Sequence, residues 1–129
     1  MYILQYFYKP LASGEATYLQ IIKQFKLLLL QKIVQDGDEM PSRRMLAVRM
    51  GVNPMTVQKA FAELETIGLL NTPHGKASVV QISEEQMRIL RGELLEREIT
   101  GVVAMAKTIG VTANDLSKMI NDAYGGFQL

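Results

Sequence analysis

The sequence contains no cysteine and only one histidine, His74. Without cysteine, disulfide bonds and thiolate metal sites are excluded, and the composition suits a chain that works in a reducing compartment. A lone histidine has no second ligand with which to hold a metal, and no nucleophile–acid set accompanies it. We therefore expect no metal, no cofactor, no enzyme activity and a cytoplasmic location.

Long apolar runs are also missing from the sequence. Every run is far shorter than the roughly 18–20 residues that a membrane-spanning helix needs. The N-terminus lacks a basic cluster followed by an apolar core and a small-residue cleavage site. The sequence therefore predicts neither a membrane span nor a signal peptide. A chain of 129 residues fits one domain, or a small domain with an appendage.

Acidic residues are absent from residues 40–62, although basic residues occur there. The first 82 residues carry nine Lys and Arg against six Asp and Glu, whereas the remainder carries five against seven. A carboxylate-free basic surface is typical of proteins that bind a polyanion. We therefore expect the first part of the chain to face nucleic acid and the second part to avoid it. The basic residues of this stretch are Arg43, Arg44, Arg49 and Lys59.

Periodicity and capping signals predict three helices in the basic part. Apolar residues recur three and four positions apart over residues 15–32, which predicts the first helix. The second, residues 43–50, should begin after Ser42, whose hydroxyl suits an N-cap. A tight turn at Gly51 then leads to the third, residues 54–67. Two short helices joined by a tight turn are the pattern of a helix-turn-helix.

The third helix has strong signals at both ends. Asn53 is a good N-cap, and Pro54 occupies the first helical position, where a missing N–H costs nothing. Gly68 is placed to end the helix in the left-handed conformation. The following residues, 69–82, have the pattern of strand, turn and strand, with Gly75 at the turn. The predicted fold class is therefore mainly α with a small β-hairpin.

The N-terminal half of the third helix carries residue types that contact DNA. In a helix-turn-helix this helix places its first side chains on base edges in the major groove. Gln58 can pair with adenine, Met55 can contact a thymine methyl, and Lys59 can contact a phosphate. For each residue alone a solvated helix face is the alternative, but the turn, the acid-free stretch and the hairpin together favour DNA. The predicted DNA contacts on the third helix and at the start of the second are Ser42, Arg43, Arg44, Asn53, Met55, Thr56, Gln58 and Lys59.

A long apolar helix is expected after the hairpin. Ser83 and Gln86 form a capping-box pattern, and apolar residues continue to about Ile109, before Gly110 breaks the helix. Thr112 should cap a last helix. So apolar a helix needs a partner, either the same helices of a second subunit or the chain's own first domain. We favour the second subunit, through Leu90, Leu94, Leu95, Ile99, Val102, Val103, Ala106, Leu116 and Ile120.

The first fourteen residues are rich in aromatic side chains. Within them, Pro10 follows the last aromatic residue, Tyr8, and interrupts regular structure. We expect an N-terminal arm or edge strand, with a partly ordered terminus as the alternative. The predicted division is therefore 1–14 for this segment, 15–82 for the DNA-binding domain and 83–129 for a C-terminal helical dimerisation segment.

Three motifs resemble those of the GntR family of winged helix-turn-helix regulators. They are P-S-x-R-x-L-A at residues 41–47, G-V-N-P-x-T-V at residues 51–57 and L-x-x-x-G-L-L at residues 64–70. The resemblance covers roughly residues 15–82. It implies that the hairpin is the wing of a winged helix-turn-helix domain.

The resemblance also implies DNA contacts at the tip of the wing, namely His74, Gly75 and Lys76, although an exposed loop is the alternative for His74. Many members of the family carry Ser-Arg or Thr-Arg where this chain has Asn53-Pro54. The Asn-Pro pair is typical of the small YtrA-like branch. Larger members add an effector domain of roughly 100 residues or more. The 47 residues after Ile82 suffice for two helices and not for an enclosed pocket.

The predicted function is a sequence-specific transcriptional regulator, acting as a repressor, that binds a palindromic operator in double-stranded DNA as a homodimer. An unidentified small-molecule effector would have to act on the dimer contact. The competing class is a winged helix used only for protein–protein contact. The carboxylate-free basic surface disfavours that class, and an enzyme would need a catalytic constellation that the sequence lacks.

Overall fold

The computed structural model describes residues 3–126, which are mainly helical with one two-stranded antiparallel hairpin. This arrangement confirms the predicted fold class. The chain divides into two compact units, Met1–Leu90 and Arg91–Leu129. None of the helices within residues 3–126 is long and apolar enough to cross a membrane. The elements are a 3-10 turn at Ile3–Tyr6, α1 at Thr17–Leu30, α2 at Arg43–Met50, α3 at Pro54–Thr66, β1 at Leu70–Asn71, β2 at Val79–Val80, α4 at Glu84–Ile109 and α5 at Ala113–Gly126.

The three helices of the helix-turn-helix region form close to the predicted positions. Helix α2 begins and ends as expected, whereas α1 is shorter than residues 15–32 by two residues at each end. Its C-terminal end is set by Lys32, whose φ of 61° lies in the left-handed region and stops the helical path. Helix α3 is followed by Gly68 with φ of 82°, as predicted. The amide of Leu69 then bonds the carbonyl oxygen of Leu64 at 2.8 Å, which closes the helix.

The core of the first unit lies where α3 packs against α1 and α2. The apolar stripe of α3 meets residues of the other two helices and is withdrawn from water. Burying side chains of this size contributes roughly 1.5–3 kcal/mol each, which is the main force holding the helices together. The largest fully buried side chains are Phe7, Phe25, Phe61, Ile21, Leu29, Leu46, Met50, Leu64, Leu70, Val34, Val57 and Val80.

The hairpin is joined to the chain segment before α2. Leu70 pairs with Val80 and Asn71 pairs with Val79 in the two-stranded sheet. On its other side, β2 makes a bridge from Val79 to Glu39, and the Met40 amide bonds the Ser78 carbonyl oxygen at 2.9 Å. The strands are shorter than residues 69–82 suggested, because the ladder between β1 and β2 consists of these two pairs alone. The wing is thus anchored at its base to the start of the helix-turn-helix.

The segment before α1 is an arm held by side chains of its own chain. The side chain of Gln24 accepts a hydrogen bond from the Tyr8 amide at 3.3 Å and donates one to the Tyr8 carbonyl oxygen at 3.1 Å. Gln20 binds the amide and carbonyl of Leu11 in the same way, at 2.9 and 3.0 Å. The edge-strand alternative is wrong for residues 3–14, which contain a 3-10 turn and no strand. The glutamines bond the backbone groups of Tyr8 and Leu11, which a neighbouring strand would otherwise use.

The second helical region begins with the predicted capping box. The Ser83 amide donates to Gln86 Oε1 at 2.8 Å, and the Gln86 amide donates to Ser83 Oγ at 3.1 Å. One turn later the guanidinium of Arg88 holds the pKa of the exposed Glu85 carboxyl below its usual range. Helix α4 ends at Ile109, and Thr112 caps α5 by accepting from the Asp115 amide at 3.1 Å.

Candidate nucleic-acid interface

The N-terminal half of α3 presents polar, basic and flexible side chains to solvent. Asn53 caps the helix, because its side-chain oxygen Oδ1 accepts a hydrogen bond from the backbone amide of Met55 at 2.8 Å. The side-chain nitrogen Nδ2 of Asn53 remains available. Met55 is 71% exposed, Gln58 is exposed, and Thr56 is half-buried at the edge of the turn. The opposite face of α3 is buried, so this half of the helix can enter a groove without disturbing the core.

Carboxylates lie only toward the far end of α3. Glu63 is nine positions after Pro54, which corresponds to about 14 Å along an α-helix. The free N–H groups and positive dipole of a helix start therefore face no nearby acidic side chain on α3. This separation favours an anionic partner at the N-terminal end of α3.

The start of α2 forms a second polar edge. Ser42 Oγ accepts from the Met45 amide at 3.1 Å, so its hydroxyl hydrogen remains able to donate to a phosphate. The next exposed cation is Arg44, and its guanidinium makes no hydrogen bond to any residue in the range 3–126. An exposed, unpaired guanidinium can bind a phosphate or a guanine edge through two parallel hydrogen bonds.

Arg43 differs from Arg44, although the two are adjacent. Its Nη2 atom lies 3.2 Å from Glu65 Oε1, and its guanidinium carbon lies 4.9 Å from the centre of the Phe61 ring. The Nε atom of Arg43 is buried and has no hydrogen-bond partner within the described residues. Its predicted DNA contact therefore competes with an existing ion pair. Sequence reasoning missed this pair because its members are 22 positions apart and no local spacing rule connects them.

Arg49 also has intramolecular partners. Its Nε donates to the Phe7 carbonyl oxygen at 2.9 Å, and its Nη2 donates to the Gln5 carbonyl oxygen at 3.0 Å. The sequence predicted that the basic stretch containing this arginine faces nucleic acid. Instead its guanidinium ties the N-terminal arm to the helix-turn-helix.

Lys59 has a weaker internal contact. Its ammonium nitrogen lies 4.1 Å from the centre of the Tyr18 ring on α1. At an exposed position such a cation–π contact contributes only about 0.5–1 kcal/mol, so a phosphate can compete for the flexible lysine. The predicted phosphate contact of Lys59 is compatible with this geometry.

The tip of the wing is an exposed turn. The Lys76 amide bonds the Pro73 carbonyl oxygen at 2.9 Å, and His74, Gly75 and Lys76 are all exposed. The side chains of His74 and Lys76 have no hydrogen-bond partner within residues 3–126. The tip can therefore offer a cation and an imidazole to a partner.

The residues predicted for dimerisation fall into three groups. Leu90 and Ala106 are buried within the single chain, and Leu94, Val103 and Leu116 are half-buried. The remaining ones, Leu95, Ile99, Val102 and Ile120, are exposed. Sequence reasoning missed further exposed apolar residues in these helices, among them Met105 and Tyr124. Met105 follows Val102 by three residues and Tyr124 follows Ile120 by four, so the helical spacing of the predicted residues could have found both.

Comparisons with known proteins identify the same region. The model of the family described as "Bacterial regulatory proteins, gntR family" matches residues 17–80. The HTH-type transcriptional repressor YtrA of Bacillus subtilis is 31% identical over 112 residues, which cover 85% of each chain.

Solved structures share the fold. A GntR family transcriptional regulator from Listeria monocytogenes superposes with a TM-score of 0.80 at 20% identity, covering 87% of this chain and 98% of the other. The DNA-binding domain of AraR, in complex with operator ORE1, gives 0.50 at 26% identity over 57% of this chain and 93% of that one. The matched family and YtrA are regulators of transcription rather than enzymes. The chain belongs to the gntR family of bacterial regulatory proteins and is a transcriptional regulator with a winged helix-turn-helix DNA-binding domain.

Proposed function

We propose that the protein is a cytoplasmic transcriptional repressor that binds a palindromic operator as a homodimer. The observation that carries the DNA-binding part is the exposed N-terminal half of α3, which bears polar and basic side chains and no carboxylate. Two relatives support repression and operator binding: YtrA of Bacillus subtilis is a repressor, and the AraR domain is bound to an operator.

The free side chains suggest a division of tasks at the interface. Gln58 and Met55 on α3, together with Arg44 on α2, contact base edges. Phosphates are bound by hydroxyl, amide and ammonium groups around them, which position the domain without reading sequence. The phosphate-binding residues are Ser42, Asn53, Thr56, Lys59 and, at the wing tip, His74, Gly75 and Lys76.

The dimer contact is assigned to the exposed apolar residues of the second unit. Ile99 is 57% exposed and Leu95 is 55% exposed, and both belong to α4. Ile120 extends the apolar surface on α5, where no side chain is fully buried in the single chain. Covering these residues with the same helices of a second copy removes them from water and presents two α3 helices to two half-sites. A small-molecule effector that altered this contact would weaken operator binding.

Selection of bound duplexes from a random library at low salt tests the proposal. We expect an inverted repeat with half-site centres about 10 base pairs apart, or a multiple of that spacing. Sedimentation should give twice the 14.5 kDa mass of one chain. Enrichment of a single unrepeated half-site by a monomer would overturn the homodimer, and enrichment of no sequence would overturn the operator. Placing the selected repeat at a reporter promoter should lower expression, whereas increased expression would contradict repression.

A further inference from the structure

A chain of hydrogen bonds links the C-terminal end of α3 to the base of the wing. Glu65 lies in the last turn of α3, and its Oε1 atom accepts a hydrogen bond from Thr72 Oγ1 at 2.7 Å. The same oxygen lies 3.2 Å from Nη2 of Arg43 on α2. One carboxylate therefore joins α2, α3 and the residue that follows β1.

The chain of hydrogen bonds continues across the hairpin. Thr72 Oγ1 lies 2.6 Å from Oγ of Ser78, which precedes β2 and is only 4% exposed. A threonine hydroxyl has one hydrogen, and the carboxylate of Glu65 accepts it. Ser78 must therefore donate to Thr72, so the bonds run in one direction from Ser78 through Thr72 to Glu65. These hydrogen bonds hold both strands at the base of the wing.

Arg43 completes the arrangement from the side of α2. Its guanidinium packs on the Phe61 ring, and its buried Nε gains no hydrogen bond within residues 3–126. Moving Arg43 toward DNA would leave the Glu65 carboxylate without its cation. The position of this arginine is therefore better explained by support of Glu65 than by contact with a phosphate.

We propose that Glu65 is a positioning residue that sets the orientation of the wing relative to α3 and so determines operator affinity without touching DNA. Arg43 keeps the carboxylate in place, and Thr72 transmits its position to the hairpin. This inference rests on the proposed function, because it concerns contacts that both α3 and the wing make with DNA. Holding two contact surfaces in their bound arrangement before association lowers the cost of binding.

Two matched pairs of variants test the role of Glu65 by gel-shift titration. Glu65→Ala and Glu63→Ala remove the same charge from the same helix, but only Glu65 bonds the hairpin. Loss of an acid alone favours DNA, so Glu63→Ala should bind as tightly as the wild type or slightly better. Glu65→Ala should bind about three- to tenfold more weakly, which is the range expected for loss of hydrogen bonds. Equal affinities of the two variants would overturn the proposal.

Thr72 provides the second pair and a double-mutant cycle with the wing tip. Thr72→Ser keeps the hydroxyl and should stay within twofold of the wild type, whereas Thr72→Val should lose affinity about three- to tenfold. In a Lys76→Ala background Thr72→Val should lower operator affinity little further, because the wing contact is already weakened. In an Arg44→Ala background Thr72→Val should lower operator affinity by the same factor as in the wild type. The same cost in both backgrounds would show a general structural defect and would overturn the positioning role.

Hydrogen exchange on the free protein separates this inference from DNA binding itself. Thr72→Val and Glu65→Ala should raise exchange of the amides of residues 70–80 several-fold and leave the α1–α3 amides unchanged, with Glu63→Ala like the wild type. Unchanged exchange in the hairpin would overturn the network even if the protein binds DNA. If the wild type bound no duplex, the proposed function would fail, and raised hairpin exchange would still support the structural link from Glu65 to the wing.

Discussion

The two units of the chain treat their apolar residues in opposite ways. In the first unit the large side chains of α1, α2 and α3 are almost fully buried, including Phe25, Leu46 and Phe61. In the second unit Ile99, Met105 and others on α4 and α5 remain in contact with solvent, and none of the residues of α5 is buried. The first unit thus has a core of its own, whereas the second has an apolar surface that a partner can cover.

The largest expected effect comes from breaking the apolar surface of the second unit. Ile99→Asp places a charge in the proposed dimer contact, where burial without a partner is costly. We expect a monomer whose operator affinity is lower by about 10²- to 10⁴-fold, because the second half-site no longer adds to binding. Sedimentation and gel-shift titration measure the two effects.

A matched control for that variant is Thr100→Asp, which introduces the same charge at the next, exposed position of α4. This variant should remain dimeric. A dimeric Ile99→Asp protein, or dissociation of both variants, would place the subunit contact elsewhere.

The next effect concerns the core of the first unit. Phe61→Ala removes a ring that is 2% exposed and should lower the free energy of unfolding by about 3–5 kcal/mol. Met55→Ala, on the exposed side of the same helix, should change it by less than about 0.5 kcal/mol. Urea denaturation at several protein concentrations measures both values. Similar losses in the two variants would contradict the difference between the buried and exposed faces of α3.

Arg44→Ala tests the DNA-binding face of the first unit. Losing a guanidinium that binds a base edge or phosphate should lower operator affinity about 5- to 150-fold without changing stability. Arg91→Ala removes the same charge from an exposed position of α4 and should change affinity little. Gel-shift titrations measure both affinities. Equal losses of operator affinity in the two variants would show that binding depends only on the overall charge of the protein.

The smallest expected effect is at the wing tip. Operator affinity should fall steeply as salt rises, since bound phosphates release counterions. Lys76→Ala should make the slope of log affinity against log salt shallower by about one for each phosphate that the variant no longer binds. Lys118→Ala on α5 serves as the control and should leave the slope unchanged. A flat salt dependence of the wild type would argue against phosphate-dominated binding.

Local signals allowed most of the helical elements to be predicted. The caps at Ser42, Asn53 and Ser83 and the stop at Gly68 act within a few residues, so their spacing is visible in the sequence. The helix-turn-helix and its exposed face follow from these signals. The arm was harder to predict, because Gln20 and Gln24 bind backbone groups of a segment that has no periodicity of its own.

By itself, the sequence determined the family, the order of the elements and the carboxylate-free N-terminal half of α3, since each depends on residues that are neighbours along the chain. Only the tertiary structure decided which basic residues are free. Arg44 has no partner within residues 3–126, whereas Arg43 pairs with Glu65 and Arg49 binds the carbonyl groups of the arm. Charge alone does not distinguish these arginines, because their partners are 22 to 44 positions away and meet them only when the helices pack.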